Sequence, residues 1–532
     1  AEMPLDVFGS LAAVQVGKAK TISSRAVDVA CEYLNSRYDC ADFYAISLLA
    51  ALYRHKDTGV MAADQGRIEA ALRGFKFWIA EPGLDAMCYF TENHQILFHT
   101  TGYLTGQLFP DWTFTNSGLS GREQQRLNRA RLVNWIQRRL RGSFSEWDSN
   151  AYLTMDTYAM LALIEFSCEQ HVRDLATTLL NKIFFLVACQ SFRGAHASTH
   201  GRCYVTALKS SRVENTSNLE RIAWGMGMFN GETRASGMLA MAQRYRVPEV
   251  IQAIGADLPD VLLTKARAHA DFRPQYDCRG GSWDIRTLTR RTPDGMIAAA
   301  LDHRPGEMGI QEHLWQATLS PEAVVFTNYP GNSQEHGHAR PNFWAGSARL
   351  PRVAMHKRTV ICLYRLEAGV GLGFSHAYFP SEAFDEWRID GAWAFARFGD
   401  GYVALWGDGD LRLTQTGLHA GQEIRSAGKS EAWIGSIGSK AEDGDFGAFI
   451  AKTKRFAPQV ADGVVSATID GENVRFGWHG DMIVNGQFVI RGDDTPHHDN
   501  IYTHTPWGAD TMTLAYGVKS LTLDLRGGKT TM

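Results

Sequence analysis

Apolar residues recur three and four positions apart through the first half of the chain and at strand-like spacing through the second. Residues 24–55 carry AVDVACEYL and FYAISLLAALY. GRIEAALRGFKFWI, HQILFHTTGYLTGQLF and REQQRLNRARLVNWIQRRLRG follow, the last with Gly142 placed to cap it. SNAYLTMDTYAMLALIEFSC, VRDLATTLLNKIFFLVACQ and a segment near Asn218 to Tyr245 complete the helical text. Successive helices joined by loops predict packed hairpins, which can close into an (α/α) toroid of alternating inner and outer helices. From about Gly281 the pattern changes. AVVFTNYPG, RTVICLYRL, GVGLGFSHAYF, GAWAFARFGDGYVALWG, EAWIGSIG, GVVSATIDGENVRFGW, DMIVNGQFVI and TMTLAYGVKSLTLDLRG are β-branched and aromatic, broken by GDG, DG and NG turns. They predict a large antiparallel β-sandwich or stacked sheets. The expected organisation is α then β: a helical toroid over 1–280 and a β domain over 281–532. The glycines follow the same division, with 19 in residues 1–280 and 32 in residues 281–532.

Composition narrows the function classes. The 54 Lys and Arg against 57 Asp and Glu give a net charge of -3, without the basic excess of a nucleic-acid binder. No apolar run approaches the ~20 residues of a membrane span. The eight cysteines form no CxxC pair and are too sparse for a disulfide scaffold. Walker, Rossmann, GxSxG, HExxH and EF-hand patterns are all missing from the sequence. An opening Ala-Glu-Met fits removal of a signal peptide, which would make the protein secreted or periplasmic, and fits an artificial start equally well.

Four stretches carry candidate chemistry. TENHQ (91–95) opens a helix. Glu92 or Asn93 could simply cap it, yet Asn93 and His94 also form a polar pair at a helix start, where an anion is favoured. SFSEWDSNAYLTMDTY (143–158) spaces Asp148, Tyr152 and Asp156 at four-residue intervals, predicting one helix face, with Glu146 and Trp147 in the preceding loop and Tyr158 beyond. Carboxylates beside a phenol and an indole suit a sugar cleft; capping by Asp148 with Tyr152 packed inward is the alternative. RGAHASTHGRCY (193–204) groups His196, His200, Arg202 and Tyr204: a proton acceptor, a carboxylate-binding fork and a phenol. In the β half, His336 and His338 form an HxH that could bind zinc, whereas His313, His336, Asn342, Trp344 and His376 could line the sheet face that meets the helices.

The predicted layout, with ENHQ at 92–95, GDGYVAL at 399–405 and the His-rich strands, resembles toroid-fold polysaccharide lyases of the heparinase II/III and alginate lyase group. The resemblance implies β-elimination on a uronate polysaccharide or oligosaccharide. It places Asn93 and His94 in the cleft and a tyrosine, Tyr152 or Tyr158, on a following inner helix. Elimination needs the uronate carboxylate neutralised, a base for the adjacent proton and an acid for the leaving oxygen. Asn93 with His94 or Arg202 suits the first role. Tyr152 or His200 suits the second and a tyrosine, Tyr204 included, the third. Glu92, Glu146, Trp147, Asp148, Asp156, Tyr158, Arg202, His336 and Trp344 are then expected to bind substrate. No cofactor is required; a structural zinc or calcium in the β domain and a homo-oligomer remain open. The rivals are an inverting glycosidase built on Glu92, Glu146, Asp148 and Asp156, and a non-catalytic glycan-binding protein.

Overall fold

A computed structural model describes residues 6–61, 63–269, 284–489 and 494–531. Among them, twelve α-helices run from Val7–Gln15 to Glu249–Ala256, and strands follow from Leu262–Ala268 to Thr530–Thr531. The expected division at 280/281, together with Cys278, falls outside the described residues. The first strand already lies ahead of it.

Three helices, Ala41–His55, Glu92–Leu108 and Leu153–Phe166, are buried on nearly every side. A helix apolar or buried all round must be enclosed by others. Gly121–Gly142 instead keeps an arginine-rich outer face, and its start is a full capping box of Ser120 with Glu123. Its end differs from expectation: Gly142 stays helical, and Ser143 takes the left-handed turn at φ 58. The enclosed helices follow one another. Ala41–His55 packs on Glu92–Leu108, which packs on Leu153–Phe166, then Arg234–Ala240, then Val7–Gln15, which returns to Ala41–His55. The helix expected near Asn218 to Tyr245 is two, Thr216–Trp224 and Arg234–Ala240. Gly225 and Gly227, at φ 80 and 81, break it.

The β half is antiparallel throughout its described pairings and comprises sheets of ten, six, five and three strands. The ten- and six-stranded sheets bury one shared core that includes Ile297, Trp315, Val403 and Trp433. Gly435 lets them approach, because a Cβ there would meet the Trp315 ring at 2.4 Å. The opposite face of the six-stranded sheet covers helix Phe446–Lys454 and the five-stranded sheet. GVGLGFSHAYF is a strand only at His376–Tyr378; Gly369, Gly371 and Gly373 all have positive φ. The last three strands, Thr511–Tyr516, Lys519–Asp524 and Thr530–Thr531, return to the helical half. There Met512, Leu514, Leu521 and Leu523 join the helical core, and the Thr178 and Thr530 hydroxyls lie 3.0 Å apart. No described helix is long and apolar enough to cross a membrane.

Candidate active site

The loop from Ser143 to Tyr152 is held by a buried carboxylate. Glu92 begins its helix without a side-chain cap at Thr91. Its carboxylate instead accepts from the Ser145 hydroxyl (3.0 Å), the Glu146 amide (2.8 Å) and Arg139. Both members of the Arg139–Glu92 pair are buried, so a charge lost from either would stand uncompensated. Glu92 is thus neither cap nor groove wall but the tie that fixes the next loop.

That loop presents Glu146 to the helix start. Glu146 Oε2 accepts from Asn93 Nδ2 at 2.7 Å, and Oε1 accepts from Arg202 Nη1 at 2.8 Å. Glu146, Asn93 and Arg202 are all buried. Burial opposes the Arg202 charge, but Glu146, with Tyr152 and Tyr204, more than offsets this and holds the guanidinium above its ordinary value. The Arg202 guanidinium lies 4.1 Å from the Tyr152 ring centroid, and its Nη2 donates to the Tyr204 hydroxyl at 3.4 Å. The Tyr152 and Tyr204 hydroxyls share a hydrogen bond. Burial, then Tyr204 and Glu146 working against Arg202, push the Tyr152 phenol well above its ordinary value. Both tyrosines are partly exposed. Asn93, Glu146, Arg202, Tyr152 and Tyr204 therefore form one connected cluster.

Two residues of the β half complete it. Gln311 Oε1 accepts from Arg202 Nε at 3.2 Å and from Arg340 Nη1 at 2.9 Å. The Arg340 guanidinium sits 5.3 Å from the Tyr204 ring centroid and is partly exposed. Neither residue had been singled out, because nothing in the sequence ties positions 311 and 340 to position 204. His94 is close by but turned to its own partner. Its Nδ1 meets Asp42 Oδ2 at 2.8 Å and its ring stacks on Phe43 at 5.0 Å. Burial disfavours the imidazolium, but Asp42 outweighs it and the net shift is upward. Phe43 also lines a cavity of about 210 Å³ with Phe8, Tyr44, Ser47 and Arg234.

The other expected residues lie elsewhere. Helix Leu153–Phe166 begins after Tyr152, and Asp148 is left-handed at φ 44, so Asp148, Tyr152 and Asp156 share no helix face. Asp148 lines a separate cavity of about 30 Å³ with Gln190 and His497. Burial pushes its carboxyl up to about 7. Asp156 is fully enclosed, and burial followed by Glu92 and Glu146 raises its carboxyl well above the usual range. Trp147 donates to Thr199 and packs edge-on against His303 inside the core, so its faces are closed to a sugar. Tyr158 is wholly buried against Phe8. His200 is buried with its Nδ1 on the Asp148 carbonyl, between the rings of His196 and His313. Its backbone pairs with His313. Burial pushes His200 down to about 4, so it stays neutral and packed. Trp344 is buried, stacked on His376 at 4.2 Å, with its indole N–H on Glu335.

For a metal, Asp39, Cys40 and His94 bring ligand atoms within 4.8 Å of one another, the one such cluster among the described residues. The donor set suits zinc, although burial pushes the Cys40 thiol up to about 12 and a metal would have to displace that proton. His336 and His338 are exposed and form no such cluster. No protein-family profile matches the chain, and no curated protein matches it significantly.

Proposed function

We propose that the protein cleaves a uronate-containing polysaccharide by β-elimination, with the Tyr152–Tyr204 pair performing the proton transfers. The observation that carries this reading is the pair itself: two tyrosines, each partly exposed as a residue, whose hydroxyls share one hydrogen bond, backed by the buried Arg202–Glu146–Asn93 line. Elimination requires a base for the proton beside the carboxylate and an acid for the leaving oxygen on a nearby position. Two hydroxyls that share a hydrogen bond can serve both in one relay: one oxygen takes the ring proton as its own hydroxyl proton passes to the other, whose proton goes to the leaving oxygen. Arg202, against the Tyr152 ring and donating to the Tyr204 oxygen, steadies negative charge as it develops on the pair. Asn93, engaged by Glu146, acts as a positioning residue in this scheme. The run of enclosed helices that returns on itself supports the toroid reading of the helical half.

The hydrolytic alternative is less well supported. Glu146, Asp148 and Asp156 are all buried, and Glu146 is fully engaged by Asn93 and Arg202. An inverting pair needs carboxylates facing a shared water and sugar. The test is kinetic. Tyr152→Phe and Tyr204→Phe are expected to lose about 10²–10⁴ in turnover with binding retained. A tyrosine double variant with near-native turnover would contradict the assignment.

A further inference from the structure

We propose that Arg340 binds the carboxylate of the sugar at the cleaved linkage, making the site selective for acidic over neutral sugars; this rests on reading the tyrosine pair as the place of reaction. Two guanidinium groups lie against the tyrosine rings, Arg202 and Arg340, with the His94 imidazole nearby on its own partner. Arg202 is engaged by Glu146 at 2.8 Å, and His94 by Asp42 at 2.8 Å. Arg340 meets no carboxylate among the described residues. Its Nη1 donates to Gln311, and its Nε is buried with no partner.

The charge balance follows from these contacts. Arg202 and Arg340 share the one acceptor Gln311 Oε1, so two guanidinium groups are held close together while Glu146 neutralises one. The arrangement is completed by an anion. A guanidinium fork matches a carboxylate in two parallel hydrogen bonds, and Arg340 is anchored by one nitrogen with the rest of its fork left for a ligand. The position suits the chemistry. Arg340 lies over the Tyr204 ring, so a carboxylate held there sits beside the hydroxyl pair that must take the adjacent proton. Asn93, the neutralising group suggested by the sequence, is fully buried and donates to Glu146. The cation that reaches the phenols with no counter-ion comes from the β half, so the helical half alone carries an incomplete site.

The probes are tetrasaccharides of alginate, polygalacturonate and unsulfated heparosan, each with its carboxyl-reduced neutral counterpart. Binding is measured by calorimetry on the full chain in a Tyr152→Phe background, so that nothing is consumed. At least one acidic probe is expected to bind about tenfold or more tighter than its reduced form, the scale of a charge-assisted contact. Arg340→Met should abolish that preference while leaving the reduced form unaffected, and Arg340→Lys should keep part of it. Arg340→Gln, which keeps a donor toward Gln311, replaces the methionine variant should that one fail to fold. A preference that survives loss of the guanidinium, or no preference for any acidic probe, overturns the proposal. The two readings fail separately. A preference dependent on Arg340 with saturated products from the native chain leaves Arg340 standing and removes the lyase. Unsaturated products with an unchanged preference in Arg340→Met do the reverse.

Discussion

Glu146 accepts Asn93 on one oxygen and Arg202 on the other, away from water. Glu146→Gln leaves Arg202 buried without its counter-ion, a loss of about 3–5 kcal/mol for a pair of this kind. The melting temperature should fall clearly, and adding Arg202→Gln should restore part of it. An unchanged melting temperature for Glu146→Gln would show that the pair holds nothing in place. His200→Ala is expected to lower the melting temperature while kcat of the folded fraction stays within a few-fold, because the ring packs between His196 and His313 rather than facing the phenols. A loss of about a hundredfold in kcat, the scale of a proton-transfer group, would return that imidazole to the chemistry. The members Asn93, Glu146, Tyr152, Arg202 and Tyr204 were legible in the sequence because polar, ionisable side chains stood at a helix start and in two loops. Their order was not. Side-chain type cannot show that Glu146 takes up the Asn93 amide, that Trp147 and Trp344 turn inward, or that Arg340 arrives from 136 positions after Tyr204.

The loops 143–152 and 191–204 are built on neutral histidines and one unusual carboxyl. Burial pushes His196 to about 3 and His200 to about 4, and drives His313 well below its ordinary value of 6.5. In the unfolded chain each would titrate near 6.5. The stability they contribute is therefore complete above about 6.5 and is lost as the pH falls toward 4, when the unfolded state takes up protons the fold refuses. The native chain's advantage in melting temperature over His200→Ala should therefore shrink as the pH falls across that window, and a constant difference would contradict the buried stack. Asp148 has the opposite sign. Its folded value near 7 lies above its ordinary 3.8, so it favours folding at low pH and loses that advantage as the pH rises from 3.8 to 7. Asp148→Asn should gain stability relative to the native chain as the pH rises through that range; a constant difference would count against the shift. Element types followed from periodicity, but the breaks did not. The left-handed Asp148 delays a helix to Leu153, and Gly225 and Gly227 split another. Both depend on backbone geometry that hydrophobic spacing does not encode.

Across the whole molecule, the α-then-β order was readable from the change of period, whereas the return of the last strands was not, because an amphipathic hairpin carries no mark of which core it will join. Leu523 is buried with the helices, so Leu523→Ala should cost about 2–5 kcal/mol and move the loss of helical signal to lower denaturant. An effect confined to the sheets would place the hairpin wrongly. The site has the same long-range character: helix starts and loops supply the phenols and their buried charge pair, and loops of the β half supply Gln311 and Arg340. At this composite site elimination is proposed over hydrolysis. The most direct measurement incubates the native chain and Tyr152→Phe with a panel of uronate polysaccharides and follows the ultraviolet absorbance of unsaturated uronate ends alongside reducing ends. Both signals should rise together on at least one substrate with the native chain, and neither with Tyr152→Phe; reducing ends appearing without the absorbance would mean hydrolysis.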